Sequence, residues 1–192
     1  MPSSSVPARE CHSSRSCEIG YHEKVEMGQI SRLRDSEKTA KALAGLGYPG
    51  FLYLRPAEQQ NPVSVLLAAL SSHDLEVRAI EALPWLVLKF PEMDWEWLLK
   101  EARQREIQNR LGFVVSLARR LAERRPTEQL KLGKLAEVEA ALDRARLVRE
   151  DTLCQQSLSA AERRWLRDTR PPEARHWNLL ADLTPELLPY AA

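Results

Sequence analysis

Residues 61–125 read NPVSVLLAALSSHDLEVRAIEALPWLVLKFPEMDWEWLLKEARQREIQNRLGFVVSLARRLAERR. The stretch is punctuated like a row of helices. Asn61 is a capping residue and Pro62 suits the first helical position. Val63, Val65, Leu66, Leu67 and Leu70 then recur on one helical face, and Ser71 to Asp74 interrupts it. Leu75, Val77, Ile80, Ala82 and Leu83 make a second face. Pro84 is expected to kink or restart that helix, because it has no N–H to donate. Trp85 to Phe90 continues the apolar run and Pro91 stops it. Asp94 is placed to cap a third helix bearing Trp95, Leu98, Leu99 and Ala102. Ile107, Leu111, Val114, Val115, Ala118 and Leu121 form a fourth, closed by Arg124, Arg125 and Pro126.

Sliding the stretch by 32 residues superimposes its own pattern. Leu66 falls on Leu98, Leu67 on Leu99, Asp74 on Glu106, Leu75 on Ile107, Arg78 on Arg110 and Leu83 on Val115. Self-similarity at such a period is the mark of stacked helical hairpins. The residues Leu66-Leu67-x-x-Leu70, Asp74-Leu75-x-Val77-Arg78 and Ala82-Leu83 resemble a HEAT-type repeat over about 61–125. That resemblance implies a scaffold that binds other macromolecules. Pro84 inside the second helix, and the bulk of Trp95 and Trp97, depart from the family pattern. The expected fold is therefore all-α: a compact, HEAT-like bundle of antiparallel helical hairpins.

Composition supports this. The chain holds 30 Leu and 22 Ala against 10 Val and 4 Ile, which favours helix over sheet. Only Gly112 and Gly133 follow Gly50, so glycine-dependent hairpin turns are nearly excluded there. The 192 residues suit one domain, or one domain with a tail. No apolar run approaches the roughly 20 residues of a membrane span, and no secretory h-region is visible. Three cysteines, an odd number, do not make a disulfide framework; a cytoplasmic setting is expected.

Residues 1–26 are Ser-rich and poor in apolar side chains, so a disordered tail is expected, with Met27 a candidate natural start. Cys11, His12, Cys17 and His22 carry zinc-ligand chemistry, but their spacing fits no usual pair, so no metal site is assigned. Residues 27–60 are expected to form a small helix, capped by Asp35 or Ser36 and ended by Gly45 and Gly47. An extended 51–54 arm and a linker follow. A helix-turn-helix over 30–56 is disfavoured, because Pro49-Gly50 falls where a recognition helix would begin. Residues 61–192 form the helical core. Within it, 127–150 reads as an amphipathic helix along Leu132, Leu135, Val138, Leu142, Ala145 and Val148. Ser159 to Glu162 is a capping box, and 173–183 a further short helix bearing Trp177.

No catalytic residue or cofactor site is assigned. After residue 60 the only histidines are His73 and His176, with no nucleophile motif beside either, and the glycines match no phosphate-cradling loop. The sharper signals concern binding. Between 103 and 125 lie seven arginines (103, 105, 110, 119, 120, 124, 125) against Glu106 and Glu123, a local excess of five positive charges hidden by a total of +1. Arg103, Arg110 and Arg124 are spaced so that they could share a stripe, and arginine binds carboxylate and phosphate bidentately. The plainer reading is a solvated outer face paired with acids such as Glu101, Glu128, Glu137 and Glu139. Trp95 and Trp97, two apart, cannot both face inward on one helix, so one is a candidate hot spot. The candidate partner-binding residues are Trp95, Trp97, Arg103, Arg110, Arg119, Arg120 and Arg124. They fit a non-catalytic regulatory or antitoxin-like accessory protein with a protein partner. The alternative is a nucleic-acid-binding regulator using the arginine stripe or the 30–56 segment.

Overall fold

A helix over 35–45, α1, is the first element of the computed structural model, which describes residues 35–56, 58, 60–125 and 129–188. The readings made for residues 1–34, including the cysteine–histidine cluster, lie outside the described residues. α1 ends as its glycine predicts. Gly47 takes a left-handed φ of 88°, and the Tyr48 N–H then reaches back to the Leu43 carbonyl at 3.0 Å. That wrap-around closes the helix and buries Tyr48. The expected extended arm is instead a 3-10 turn, Pro49–Phe51, followed by a bend. Phe51 is buried, while Leu52 and Tyr53 are exposed. No second helix follows until residue 62, so no helix-turn-helix forms among the described residues.

Four helices occupy the stretch quoted above: α2 (Pro62–Ser71), α3 (Val77–Lys89), α4 (Trp95–Gln104) and α5 (Gln108–Glu123). The caps are those read from sequence. Asn61 accepts from the Val63 N–H at 3.0 Å, and Asp94 from the Trp97 N–H at 3.0 Å. α3 runs through Pro84 without a break. α2 packs on α3 and α4 on α5; α2 also meets α4, and α3 meets α5. Leu75 and Ile107, equivalent under the 32-residue shift, are both buried where the second helix of each pair begins. The break between α4 and α5 is sharp. Glu106 takes φ 56°, and the Ile107 N–H bonds back to the Ala102 carbonyl at 2.9 Å.

α5 is the axis of the bundle. Every residue from Gln108 to Ala118 is buried. It touches α3, α4, α6 (Gln129–Asp143), α8 (Pro172–His176) and the 3-10 turn Pro185–Leu187. α6 runs antiparallel to it, since Gln108 bonds the Ala145 carbonyl while Ser116, farther along, bonds Glu139. α6 is shorter than its pattern suggests. It stops at Asp143, and Val148 lies in the loop beyond, 93% exposed.

The C-terminal third departs most from expectation. α7 (Ala160–Thr169) carries the full capping box: Glu162 accepts from the Ser159 N–H at 2.7 Å, and Ser159 Oγ from the Glu162 N–H at 3.3 Å. The expected helix over 173–183 is only the five residues of α8. Asn178 at φ 53° ends it, and Leu179–Leu180 (β2) pairs in parallel with Asp151–Thr152 (β1). The described residues thus form eight helices and one two-residue ladder: a compact, mostly helical bundle.

Candidate functional site

The arginine stripe does not form as the spacing suggests. Arg103 lies in the last turn of α4, and the chain then reverses at Glu106 before α5 begins. Arg110, expected on the outside, is 4% exposed. Its Nε and Nη2 bond the two Asp151 oxygens at 2.7 and 3.0 Å, and its Nη1 reaches the Leu70 and Ser72 carbonyls at 2.9 and 3.1 Å. One guanidinium therefore joins the C-terminus of α2, the start of α5 and β1. Burial alone would raise the Asp151 carboxyl, but Arg110 and the Thr152 N–H together hold it below its ordinary value.

Most of the other arginines also meet carboxylates within the chain. Arg105 pairs with Glu101 at 3.1 Å, and Arg119 with Glu139 and Glu123. Arg120 pairs with Glu173 at 2.6 Å, and Arg124 with Glu186 in the 3-10 turn. The charge excess of the segment is thus met by acids from α6, α8 and the C-terminal turn. Arg103 and Arg125 are the exceptions: among the described residues neither has an ion-pair partner, and Arg103 is exposed while Arg125 is half-buried.

Trp95 and Trp97 separate as the helical geometry requires. Trp95 is 5% exposed, with Nε1 donating to the Pro91 carbonyl at 2.8 Å. Trp97 is 39% exposed on the outer face of α4. There it borders an open cavity of about 640 Å³ that Glu96, Leu99, Lys100, Arg103 and Gln104 also line. The structure therefore brings two of the seven candidate residues together, Trp97 and Arg103. Next to it lies an apolar cavity of about 480 Å³ walled by Phe90, Pro91 and Met93, and Asp94 borders both.

Two features escaped the sequence reading. Trp165 on α7 is 56% exposed, more than Trp97, because α7 buries only Leu166. The run Gln108-Asn109-Arg110 is buried rather than solvated. Asn109 bonds both backbone groups of Leu147 at 2.8 Å, and Gln108 Nε2 donates to the Ala145 carbonyl. His176 Nε2 lies 2.9 Å from Asp143, with Arg146 on its other nitrogen; neither neighbour is a nucleophile. His73 is exposed. Among the described residues, no cluster of three or more His, Cys, Asp or Glu is placed to hold a metal. None of their helices is long and apolar enough to cross a membrane.

Comparison of the chain with family models, with curated proteins and with solved structures returns no match.

Proposed function

We propose that the chain is a non-catalytic binding protein that engages a protein partner through the outer face of α4. The observation that carries this reading is Trp97. It is a large aromatic side chain, 39% exposed, beside Lys100 and Arg103, which have no ion-pair partner among the described residues. Exposed aromatics beside unpaired arginine are the composition of interface hot spots. The 32-residue equivalence of α2–α3 with α4–α5 supports a HEAT-like stack in which α4 presents its free face. A regulatory or antitoxin-like accessory role suits such a scaffold, by analogy of architecture. Nucleic-acid binding through the arginines is the weaker reading, because Arg105, Arg110, Arg119, Arg120 and Arg124 are already paired.

The test is affinity purification of the full chain from its own cells beside Trp97→Ala and Arg103→Glu. One partner recovered by the parent chain and depleted about tenfold or more by each variant supports the reading. Equal recovery by all three overturns it. Duplex DNA bound at low salt and released steeply as salt rises would move the assignment to the nucleic-acid reading.

A further inference from the structure

A second surface lies away from α4 and has different chemistry. α1, the 51–54 bend and the 74–76 segment enclose a groove of about 550 Å³. Its floor is apolar, from Ala40, Phe51, Leu54 and Leu75, and Tyr53 forms one lip. Leu52, Tyr53 and Val77, exposed by 69%, 69% and 54%, continue the apolar surface in the adjoining sequence. Its remaining lining residues are Ser36 and three acids, Glu37, Asp74 and Glu76; none of the described residues lining it is cationic.

The groove is also preformed. The Glu76 N–H donates to Ser36 Oγ at 3.0 Å, tying the rim across 40 residues of sequence. Asp74 accepts from the Ser157 N–H at 2.8 Å, and the Leu75 N–H donates to the Cys154 carbonyl at 2.9 Å. Beneath, Tyr48 stacks edge-on against Phe51 and Trp85 at 5.5 and 5.1 Å. A rigid floor lowers the ordering cost of binding.

The three carboxylates differ in what they have left to offer. Glu37 shares its charge with Lys41, and Asp74 is engaged with Ser157. The Glu76 carboxylate is exposed and has no ion-pair partner among the described residues. We infer that this groove is a docking site for a basic amphipathic segment of a partner protein. In that complex an apolar side chain enters between Phe51, Leu54 and Leu75, and a lysine or arginine reaches Glu76 across the face of Tyr53. Phosphate-bearing partners are repelled by the same rim, so nucleic acid does not fit here. A cation over an exposed tyrosine ring adds a contact that a neutral partner lacks.

The experiment is selection of a displayed random 12-residue peptide library on the full chain. Parallel selections use Glu76→Lys and Tyr53→Ala. Both changed side chains are exposed, and unchanged thermal unfolding of each variant confirms that the fold is kept. Enriched peptides that combine Lys or Arg with Leu, Phe or Trp, and that bind Glu76→Lys about tenfold more weakly, support the inference. Four outcomes overturn it: acidic or uncharged peptides, peptides indifferent to both variants, no enrichment, or self-association of the full chain abolished by Tyr53→Ala. Trp97→Ala leaves this binding unchanged, so failure here and failure of the α4 reading are told apart.

Discussion

Gly112 lies against the indole of Trp177 so closely that a Cβ on Gly112 would sit 2.3 Å from the ring. No side chain fits that gap. One turn farther along α5, Ser116 Oγ accepts from Trp177 Nε1 at 2.7 Å, so the same indole is positioned by packing and by a hydrogen bond. This contact seats α8 on α5. Gly112→Ala is expected to cost about 2–3 kcal/mol, the upper part of the roughly 1–3 kcal/mol usual for overpacking a core. The cost should fall below about 1 kcal/mol in a Trp177→Leu background, since the clash is then gone. Denaturant unfolding of the four chains of that cycle checks this, and equal costs in both backgrounds would refute the account.

The Arg110–Asp151 pair predicts a pH-dependent cost. Removing one partner of a buried pair strands the other, at about 3–5 kcal/mol; Asp151 is partly solvated, so Arg110→Met should fall at the low end. In the parent chain the Asp151 carboxyl is held below its ordinary value. Its contribution is therefore complete above the unfolded value, about 3.9, and is lost as pH falls through the lower folded value. In Arg110→Met burial dominates and raises the folded value instead. That penalty is full at neutral pH and relieved in acid, as Asp151 takes up a proton. The stability gap between parent and variant should narrow as pH falls from neutral and go on narrowing below about 3.9, as read by urea unfolding. A constant gap would mean that Asp151 does not sense Arg110.

How much was legible depends on the range of each interaction. Asn61, Asp94 and the Ser159–Glu162 box act within three residues, and all three are legible in the sequence. The order and helical character of 62–123 followed from periodicity, which core burial enforces. The errors are long-range. Arg144-Ala145-Arg146-Leu147 keeps a helical composition, so the pattern alone carries a helix to 150. Yet the backbone of Ala145 and Leu147 is taken by Gln108 and Asn109, nearly 40 residues away. A polar triplet at a helix start looks solvated until its partners are known. The arginine stripe failed for the same reason. Three of its carboxylates, Asp151, Glu173 and Glu186, lie far along the chain, whereas Glu101 and Glu123 sit one helical turn from the arginines they meet.

Cys154 supplies a chemical test of the packing around Arg110. It is fully buried at φ 55°, with Sγ 3.3 Å from the Ala69 carbonyl. Burial pushes its thiol up to about 12, with Arg110 opposing only in part. Thiolate is the reactive form, so iodoacetamide at about pH 8 should leave Cys154 unmodified in the native chain and label it fully in guanidinium. Peptide mass spectrometry reads the site directly. Rapid native labelling of Cys154 would mean that the β1 loop opens readily.

The arginines on the surface predict which variants report on binding and which report on stability. Arg119 stands between Glu123 and Glu139, so Arg119→Glu sets three carboxylates together. That should lower stability by about 1 kcal/mol or more, through lost attraction and new repulsion on partly exposed groups. Arg103 opposes no described carboxylate, and Arg103→Glu should stay within about 0.5 kcal/mol of the parent. Thermal unfolding at low and high salt separates the two. The Arg119→Glu deficit should shrink as salt screens the repulsion, while Arg103→Glu stays near zero throughout. A partner lost from Arg119→Glu alone therefore reports damage to the α5–α6 face. A partner lost from Arg103→Glu, with the fold intact, places binding on the outer face of α4. Equal destabilisation by the two variants would show that Arg103 is engaged within the chain, and Trp97 alone would then mark the surface.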